Sequence, residues 1–328
     1  CLHRHRVPKD NNFKPRTWDV KPMIPSQILR ACRGFIHSFP TPSFPLTDVA
    51  ANIYHPQLLP ELDVHLANAS KAGVTSLVVP ASDVQSAHDI LDRSQQPTLD
   101  HHLSIRSTVG IHPYEAGPLN NDRLAQHMTQ MHDLVLQHPD LFVAIGECGL
   151  DYSPGFPDSN LQHRIFSAQL DLAIALQTNL YIHVRHAFDD FFNLMDEKEH
   201  LPPVLVHCFT GNEQEMKECI RRNFSISVSG LMCRANTGKA LRHAVRSTFS
   251  PSTQHNHLLM VETDAPYLGF KHCRQGYMDS PLKIIPNVPS ALPLIVEQLA
   301  TLLDTTAEDV AHTTTNNASR FFGFDTPS

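Results

Sequence analysis

From Leu46 onward, short hydrophobic runs alternate with longer amphipathic segments along the chain. The short runs have the length of buried strands, whereas the longer segments repeat hydrophobic residues at helical spacing. Gly73 lies just beyond the first helical segment and before a strand, which is a preferred position for glycine at a helix end. The pattern predicts eight strands, at 46–53, 74–80, 103–110, 142–147, 180–184, 204–207, 224–230 and 257–264.

Helical segments separate these strands and follow the last one. Eight strand–helix units in succession predict parallel strands that close into a (β/α)8 barrel, an α/β fold of the TIM-barrel type. An open doubly wound sheet is the alternative, but no G-x-G-x-x-G motif follows the first strand. The helices named by this pattern are 58–71, 125–137, 159–177, 213–222 and 292–303.

Composition limits the class of protein. The chain has 328 residues, with 41% hydrophobic and 18% charged residues, which is ordinary for a globular protein. No hydrophobic run is long enough to cross a membrane, so we expect no membrane partner. Seven scattered cysteines without a C-x-x-C pair indicate reduced thiols and predict a cytoplasmic protein, with a nuclear or mitochondrial location left open.

The segment 1–45 differs from the rest of the chain. It is basic, poor in acidic residues and contains the Pro-rich stretch Pro40–Pro45, which predicts a flexible extension. A mitochondrial presequence is an alternative, but the segment lacks a clear amphipathic period. Its few aromatic residues also argue against a nucleic-acid tether. We predict a barrel domain at 46–324 and a short tail at 325–328.

Residues that bind metals stand at the ends of several predicted strands. In a barrel these ends converge on one mouth, where active sites are built. Two imidazoles and two carboxylates there form a set suited to a divalent metal ion. The predicted ligands are Glu147, His183, His207 and Asp264, and His112 ends another strand.

Each of these residues also has a structural explanation. His183 and His207 are candidates for hydrogen-bonded core histidines, and Glu147 for a salt-bridge partner or a helix cap. Asp264 precedes Pro266 and is a candidate helix N-cap. The coincidence of all four at separate strand ends favours the metal, because burying several ionisable groups is costly unless they are paired or bind a metal.

Two cysteines directly follow predicted ligands. Cys148 follows Glu147, and Cys208 follows His207. Since neighbours on a strand point to opposite faces, we expect both thiols to face the helical shell as small buried hydrophobes.

These motifs resemble the TatD family of metal-dependent deoxyribonucleases. The matching stretches are V-G-I-H-P (109–113), A-I-G-E-C-G-L-D-Y (144–152), H-V-R (183–185), V-H-C-F-T-G (206–211) and V-E-T-D-A-P-Y-L (261–268). The resemblance implies a metallo-dependent hydrolase barrel and phosphodiester hydrolysis. Members act on DNA, commonly as exonucleases that prefer single strands or 3′ ends, and some act on RNA.

The resemblance also implies roles for single residues. Glu147, His183, His207 and Asp264 fall at the family's metal ligands, whereas His112 and Arg185 fall where the family contacts the substrate phosphate. Asp264 is the candidate general base, with Glu147 as the alternative. Asn52 and Tyr267 are further candidate substrate contacts. The structural alternatives are a histidine held before Pro113 for His112 and a rim salt bridge for Arg185.

Three departures from the family pattern affect the expected metal and substrate. Ala50 and Asn52 replace a His-x-His pair found in many relatives, which favours Mg²⁺ or Mn²⁺ over Zn²⁺ and leaves one or two ions open. His186 follows H-V-R where the family usually has Asp or Asn, and Val288 replaces the Glu of an N-E-P motif. These changes put substrate preference in question.

Two other functions remain open from the sequence. One is a metallohydrolase of the same fold that cuts an amide, ester or lactone, because a barrel and a metal do not dictate the substrate. The other is a non-catalytic binding protein with a degraded site, which His186 and Val288 would favour. The net charge of −7 argues against wrapping around duplex nucleic acid, but not against an enzyme that grips one strand end. No protein partner is predicted.

Overall fold

Eight parallel strands form a single sheet whose spatial order follows the sequence. The structure is a computed structural model that describes residues 44–95, 103–117, 119–249, 253–274 and 286–325. All eight predicted strands are present. They are β1 (Leu46–Asp48), β2 (Val74–Val79), β3 (Ser104–Val109), β4 (Phe142–Asp151), β5 (Asn179–Arg185), β6 (Val204–Val206), β7 (Ser225–Val228) and β8 (Leu259–Val261).

Helices follow the strands and build the outer layer. Several begin at a side chain that accepts a hydrogen bond from the backbone of the first turn. Asp83 and Asn212 each form such a cap, and in both cases the side chain three residues later returns the bond. The helices are α1 (Leu62–Lys71), α2 (Val84–Ser94), α3 (Asn121–Gln137), α4 (Ser159–Leu176), α5 (Phe188–Asp196), α6 (Glu213–Arg221), α7 (Lys239–Thr248), α8 (Leu292–Leu303) and α9 (Ala307–Phe322).

Backbone hydrogen bonds join the two ends of the sheet and close the barrel. The Val49 N–H donates to the Val261 carbonyl at 3.3 Å, and the Asp264 N–H donates to the Ala50 carbonyl at 2.8 Å. The carboxylate of Asp48 accepts a further bond, at 2.8 Å, from the Thr263 N–H. The predicted (β/α)8 barrel is therefore confirmed.

Side chains alternate between the two faces of the strands. In β5, Leu180, Ile182 and Val184 pack against the helices, whereas Tyr181 lies in the barrel interior. Its hydroxyl donates across the barrel to the Val49 carbonyl at 3.0 Å. The same alternation carries His183 to the inner face.

Helix α9 covers the amino ends of the strands. Its Phe321 and Phe322 belong to the same hydrophobic cluster as Tyr181. Thr315 donates to the carbonyl of Pro45, just before β1, at 2.9 Å, and Asn317 donates to the carbonyl of Leu259 at 2.7 Å. Since this end is filled, an open site has to lie at the carboxyl ends of the strands.

Several sequence predictions lie outside the described residues. The predicted extension 1–45 falls there except for its last two residues, and the tail is described only at Asp325. Their assignment, and the cytoplasmic location, stay predictions. Among the described residues, no helix is both long and apolar enough to cross a membrane.

Candidate active site

Two glycines in β4 bring this strand unusually close to β5 beside Glu147. Gly146 and Gly149 have φ values of +150° and +143°, which residues with a side chain rarely adopt. A Cβ atom on Gly146 would collide with the carbonyl oxygen of Tyr181, and one on Gly149 with that of His183. The register of the two strands also shifts between Ile145 and Cys148. This irregular segment carries Glu147 at the mouth of the barrel.

Three imidazoles surround one oxygen atom of Glu147. Its Oε1 lies 2.7 Å from Nε2 of His207, 3.1 Å from Nδ1 of His183 and 3.3 Å from Nε2 of His112. The Glu147 side chain is only 13% exposed. Residues from β4, β5 and the segments after β3 and β6 therefore converge, as expected for the mouth of a barrel.

His183 is held from both sides. Its Nδ1 faces Glu147, and its Nε2 lies 2.9 Å from Oδ2 of Asp151. Asp151 is 2% exposed, and its other oxygen accepts a bond from the Ser153 N–H at 2.8 Å. An Nε2–H group that donates to Asp151 leaves the lone pair of Nδ1 directed to the site.

His207 is held in a similar way. Its ring stacks on Tyr181 with centroids 4.5 Å apart, and its Nδ1 lies 3.6 Å from Oε1 of the fully buried Glu262. The other oxygen of Glu262 accepts a bond from the Ser227 hydroxyl at 2.6 Å. Glu262 thus supports His207 from behind, while Nε2 of His207 faces Glu147.

The proton on His112 can be assigned from its contacts. Its Nδ1 accepts a hydrogen bond from the Tyr114 N–H at 3.0 Å. Nε2 therefore carries the proton of the neutral ring and is the donor toward Glu147. Burial lowers the pKa of His112 against the opposing effect of Glu147, which agrees with a neutral ring.

Asp264 lies next to this cluster, but it is not part of a strand as the sequence predicts. Strand β8 ends at Val261 rather than at 264, and Asp264 has a left-handed backbone with φ of +55°. Its Oδ2 lies 3.6 Å from the thiol of Cys208. The prediction that Cys208 faces the helical shell is therefore wrong.

The prediction for Cys208 fails because β6 ends before this residue. The strand stops at Val206, and Cys208 has φ of +44°, so strand alternation no longer fixes the direction of its side chain. Cys148 behaves as predicted, because it lies inside β4 and packs in the hydrophobic shell with no exposed surface.

The electrostatics of the site are dominated by burial and by mutual contacts. Burial alone would raise the pKa of Glu147, but His207 and His112 hold it well below its ordinary value. Burial would lower the pKa of His207, but Glu147 and Glu262 raise it well above its ordinary value. For Asp264, burial and then the charge of Glu262 raise the pKa to about 7.

The remaining predicted residues lie on the rim. Arg185 ends β5 and is exposed, and its guanidinium makes no hydrogen bond or ion pair with a described residue. Tyr267 is 53% exposed, its N–H donates to the carbonyl of Asp264 at 2.8 Å, and its pKa is raised by burial and then by the charges of Asp264 and Glu147. Asn52 joins the rim through its backbone, whose N–H donates to the carbonyl of Ala265 at 2.8 Å.

A divalent metal ion fits this donor set. Within the described residues, Glu147 and His183 each bring a ligand atom to one place, and a ring nitrogen of His112 lies beside them, all within 4.8 Å of one another. His207 contacts the same carboxylate oxygen, and Asp264 adds a further carboxylate beside it. Imidazole nitrogens and carboxylate oxygens are common ligands of divalent metals, and a cation would offset the repulsion between the buried carboxylates.

The three departures from the family pattern occupy different surroundings. Ala50 is fully buried in the interior cluster of the barrel, and Val288 is fully buried in the hydrophobic shell. His186 is exposed next to Arg185, with φ of +55°. Among these residues His186 is the exposed one, and Asn52 is partly exposed on the rim.

An eight-stranded barrel with imidazoles and carboxylates at the carboxyl ends of its strands is the arrangement of the metallo-dependent hydrolase fold. The family model of "TatD related DNase" matches residues 47–323, and the chain belongs to this family. The resemblance inferred from the motifs is thus confirmed, and the protein is a hydrolase of the TatD family.

Individual relatives agree with this assignment. The protein named 3'-5' ssDNA/RNA exonuclease TatD from Citrobacter rodentium is 31% identical over 283 residues, which cover 84% of this chain and 97% of that protein. The structure of YjjV, a TatD homolog from Escherichia coli K12, has a TM-score of 0.71 at 21% identity and covers 85% of this chain and 98% of its own. An uncharacterized amidohydrolase from Saccharomyces cerevisiae gives 0.70 at 16% identity, with coverage of 85% and 100%. The two structures support the fold.

Proposed function

We propose that the protein is a divalent-metal-dependent deoxyribonuclease that removes nucleotides from the ends of single-stranded DNA, preferably 3′ ends, and that it also accepts RNA. The observation that carries this proposal is the convergence of three imidazoles on Oε1 of Glu147, within 3.3 Å, at the mouth of the barrel. The name of the Citrobacter rodentium relative, 3'-5' ssDNA/RNA exonuclease, supports the choice of a single-stranded end as substrate.

Glu147, His183, His207 and Asp264 would hold the metal. When bound, a divalent cation neutralises charge on the scissile phosphate and makes a nearby water a stronger acid. The presence of two carboxylates among these four residues, and of Ala50 and Asn52 after β1, favours Mg²⁺ or Mn²⁺ over Zn²⁺. One or two ions are compatible with this donor set.

The other residues at the mouth act on the substrate itself. The Nε2–H of His112 is positioned as a neutral hydrogen-bond donor to a phosphate oxygen. Arg185 brings a guanidinium, which suits the planar, bidentate recognition of a phosphate. Asp264 accepts the proton of the attacking water. Asn52 and Tyr267, in the segments that follow β1 and β8, contact the rest of the nucleotide.

Replacing Glu147 by Gln tests this scheme. The amide keeps the shape of the side chain but removes the charge that faces the three imidazoles. We expect metal-dependent cleavage of single-stranded DNA to fall at least about 100-fold, in keeping with the loss of a charged group that acts at the reacting centre. The rate is measured with an end-labelled oligonucleotide in Mg²⁺ and in Mn²⁺.

Glu297→Gln is the matched control, because Glu297 is an exposed carboxylate on α8. Its cleavage rate should equal that of the wild type. A folded Glu147→Gln protein that cleaves at the wild-type rate would contradict the proposed site.

A further inference from the structure

Two tyrosines stand out among the side chains at the mouth of the barrel. Tyr114 is 59% exposed and Tyr267 is 53% exposed, which makes them two of the four most exposed large hydrophobic residues in the described part of the chain. Tyr114 comes two residues after His112, and Tyr267 three residues after Asp264. Both tyrosines therefore belong to the segments that carry the side chains around Glu147.

Tyr114 is held in a fixed position relative to the site. Its backbone N–H is bonded to His112, and it lies in a short 3-10 helix, Pro113–Glu115. Its ring meets the ring of Phe156 edge to face, with centroids 5.5 Å apart and planes at 81°. The Phe156 ring in turn lies 6.2 Å from that of His112. Aromatic side chains thus form a continuous row from the rim to the imidazole beside Glu147.

Charge offers little attraction for a nucleic acid at this mouth. The chain carries a net charge of −7. Arg234 donates to the carbonyl of Gly269, in the segment after β8, and Arg242 of α7 donates to the carbonyls of Met232 and Arg234. Arg185 is a rim guanidinium without a partner among the described residues. Because the mouth offers few cationic groups to the phosphates of a nucleic acid, a DNA strand that binds here needs additional contacts to its bases.

We propose that Tyr114 and Phe156 form a stacking platform for an unpaired base next to the phosphate that is cleaved. This inference rests on the proposed nuclease function and names the part of the substrate that the site recognises. A base inside a duplex has both faces covered by its neighbours, whereas a base at a single-stranded end offers a free face to an exposed ring. The platform therefore selects single-stranded ends through stacking, without reading the sequence.

The test compares normal and abasic ends in four proteins. The proteins are the wild type, Tyr114→Ala, Tyr114→Phe and, as control, Leu136→Ala, which removes an equally exposed side chain from α3. The substrates are labelled single-stranded DNA molecules with either a complete end or one abasic nucleotide at the terminal or penultimate position. KM and kcat are measured for each pair.

We expect Tyr114→Ala to raise KM for the complete strand by about 5- to 100-fold, the range that corresponds to losing one stacked base, with a much smaller effect on kcat. An abasic nucleotide should raise KM for the wild type by a similar factor and have little further effect in Tyr114→Ala. Tyr114→Phe should recover most of the affinity because it keeps the ring, and Leu136→Ala should match the wild type.

Two results would overturn the platform. One is an unchanged KM in folded Tyr114→Ala. The other is an abasic penalty that is equally large with and without the tyrosine ring. In both cases the wild type still cleaves, so the nuclease function stands. No cleavage of any strand by the wild type would instead overturn the proposed function together with the platform. Phe156→Leu provides a second variant in case Tyr114→Ala is unstable.

Discussion

Two buried carboxylates lie behind the imidazoles that face Glu147. Asp151 lies 2.9 Å from Nε2 of His183, and Glu262 lies 3.6 Å from Nδ1 of His207. Asp151 fixes the orientation of His183 by a hydrogen bond and determines which of its nitrogens faces the mouth, whereas Glu262 lies at ion-pair distance behind His207. Supporting contacts of this kind are typical of metal-binding histidines and strengthen the histidine as a ligand.

Removing Asp151 should therefore weaken the metal site without removing a ligand. We expect Asp151→Ala to reduce the affinity for Mn²⁺ by about 10- to 100-fold, because His183 loses the partner that holds its tautomer and its orientation. Asp151→Asn should have a smaller effect, since the amide oxygen can still accept from the Nε2–H. The affinity is measured by isothermal titration calorimetry.

Asp189→Ala is the control for this measurement. Asp189 is an exposed carboxylate at the start of α5. Its removal changes the net charge by the same amount and should leave Mn²⁺ binding unchanged. Equal affinities of Asp151→Ala and the wild type would show that His183 does not depend on this contact.

At the residue scale, the sequence predicts groups at strand ends better than the contacts between them. Glu147, His183 and His207 follow from their places after hydrophobic runs. Asp151 could have been found as well, because it lies four residues after Glu147 on one strand and so shares its face. Cys208 could not, because its direction depends on a left-handed backbone after the strand, which a pattern of hydrophobic residues does not describe.

The pair of strands β4 and β5 is the element that brings the site together. Glu147 and Asp151 belong to β4, His183 and Arg185 to β5, and the residues Gly149 and His183 face each other in register. The absence of a side chain at Gly149 allows this close approach, since a Cβ atom would overlap the carbonyl oxygen of His183. Stability and site geometry therefore depend on the same glycine.

Gly149→Ala should lower both stability and activity. The new methyl group forces the strands apart beside His183, and the backbone φ of +143° is strained for alanine. We expect a loss of about 2–4 kcal/mol in the free energy of unfolding, in the range of backbone and overpacking effects. Thermal unfolding measures the first effect and strand cleavage the second.

Gly155→Ala separates the effect of backbone strain from the effect of the collision between β4 and β5. Gly155 also has a positive φ, of +94°, but nothing lies within 4 Å of the position of its Cβ atom. This variant should show the cost of backbone strain alone and should lose less stability than Gly149→Ala. Equal losses would mean that the close approach of β4 and β5 contributes little.

Hydrophobic spacing predicted which helices and strands exist better than it predicted where they begin and end. All eight strands appear, because each is a distinct hydrophobic run. The last one ends at Val261 instead of 264. The Glu262 N–H still donates to the Val228 carbonyl of β7, but Thr263 and Asp264 bond instead to Asp48 and Ala50, at the end of β1 and just after it. The segment 58–71 begins its α-helix only at Leu62, after a short 3-10 helix that contains Pro60.

At the scale of the whole molecule, Asp48 links the first strand to the last. Its carboxylate accepts hydrogen bonds from the N–H of Thr263 at 2.8 Å and from the N–H of Ala50 at 3.3 Å, and it also bonds the Thr263 hydroxyl. The side chain is fully buried, and burial raises its pKa from 3.8 to about 8. The closure of the barrel therefore favours a protonated carboxyl group.

This pKa predicts how stability changes with pH. Because the folded pKa lies above the unfolded value, the contribution of Asp48 is fully present below about pH 3.8 and is lost as the pH rises to about 8. Asp48→Asn keeps the shape of the side chain and the oxygen that accepts from the two N–H groups, and its amide N–H can donate to the Thr263 hydroxyl, but the group does not titrate. We expect its Tm to exceed that of the wild type by an amount that grows between pH 5 and 8, to several degrees.

Asp92→Asn serves as the control, because Asp92 is an exposed residue of α2. Its Tm should follow that of the wild type at every pH. A constant difference between Asp48→Asn and the wild type across this range would contradict the assigned protonation of Asp48.

The architecture of the whole barrel could be predicted because eight repeated units leave few other arrangements. The sequence also indicated which end carries the site. It did not show how the barrel is closed, because Asp48 and Thr263 are 215 residues apart and neither belongs to a repeated pattern. The position of α9 across the amino ends of the strands likewise depends on contacts between distant segments.

The most direct test of the central claim is the digestion of 3′-labelled and 5′-labelled single-stranded DNA, beside matched duplex and RNA, in Mg²⁺, Mn²⁺, Zn²⁺ or EDTA, by the wild type and by Asp264→Asn. We predict stepwise shortening from the 3′ end in Mg²⁺ or Mn²⁺, slower digestion of duplex, none in EDTA, and a loss of at least about 100-fold in the variant. No cleavage by folded wild-type protein in any metal would contradict the account and favour a substrate with an amide, ester or lactone bond.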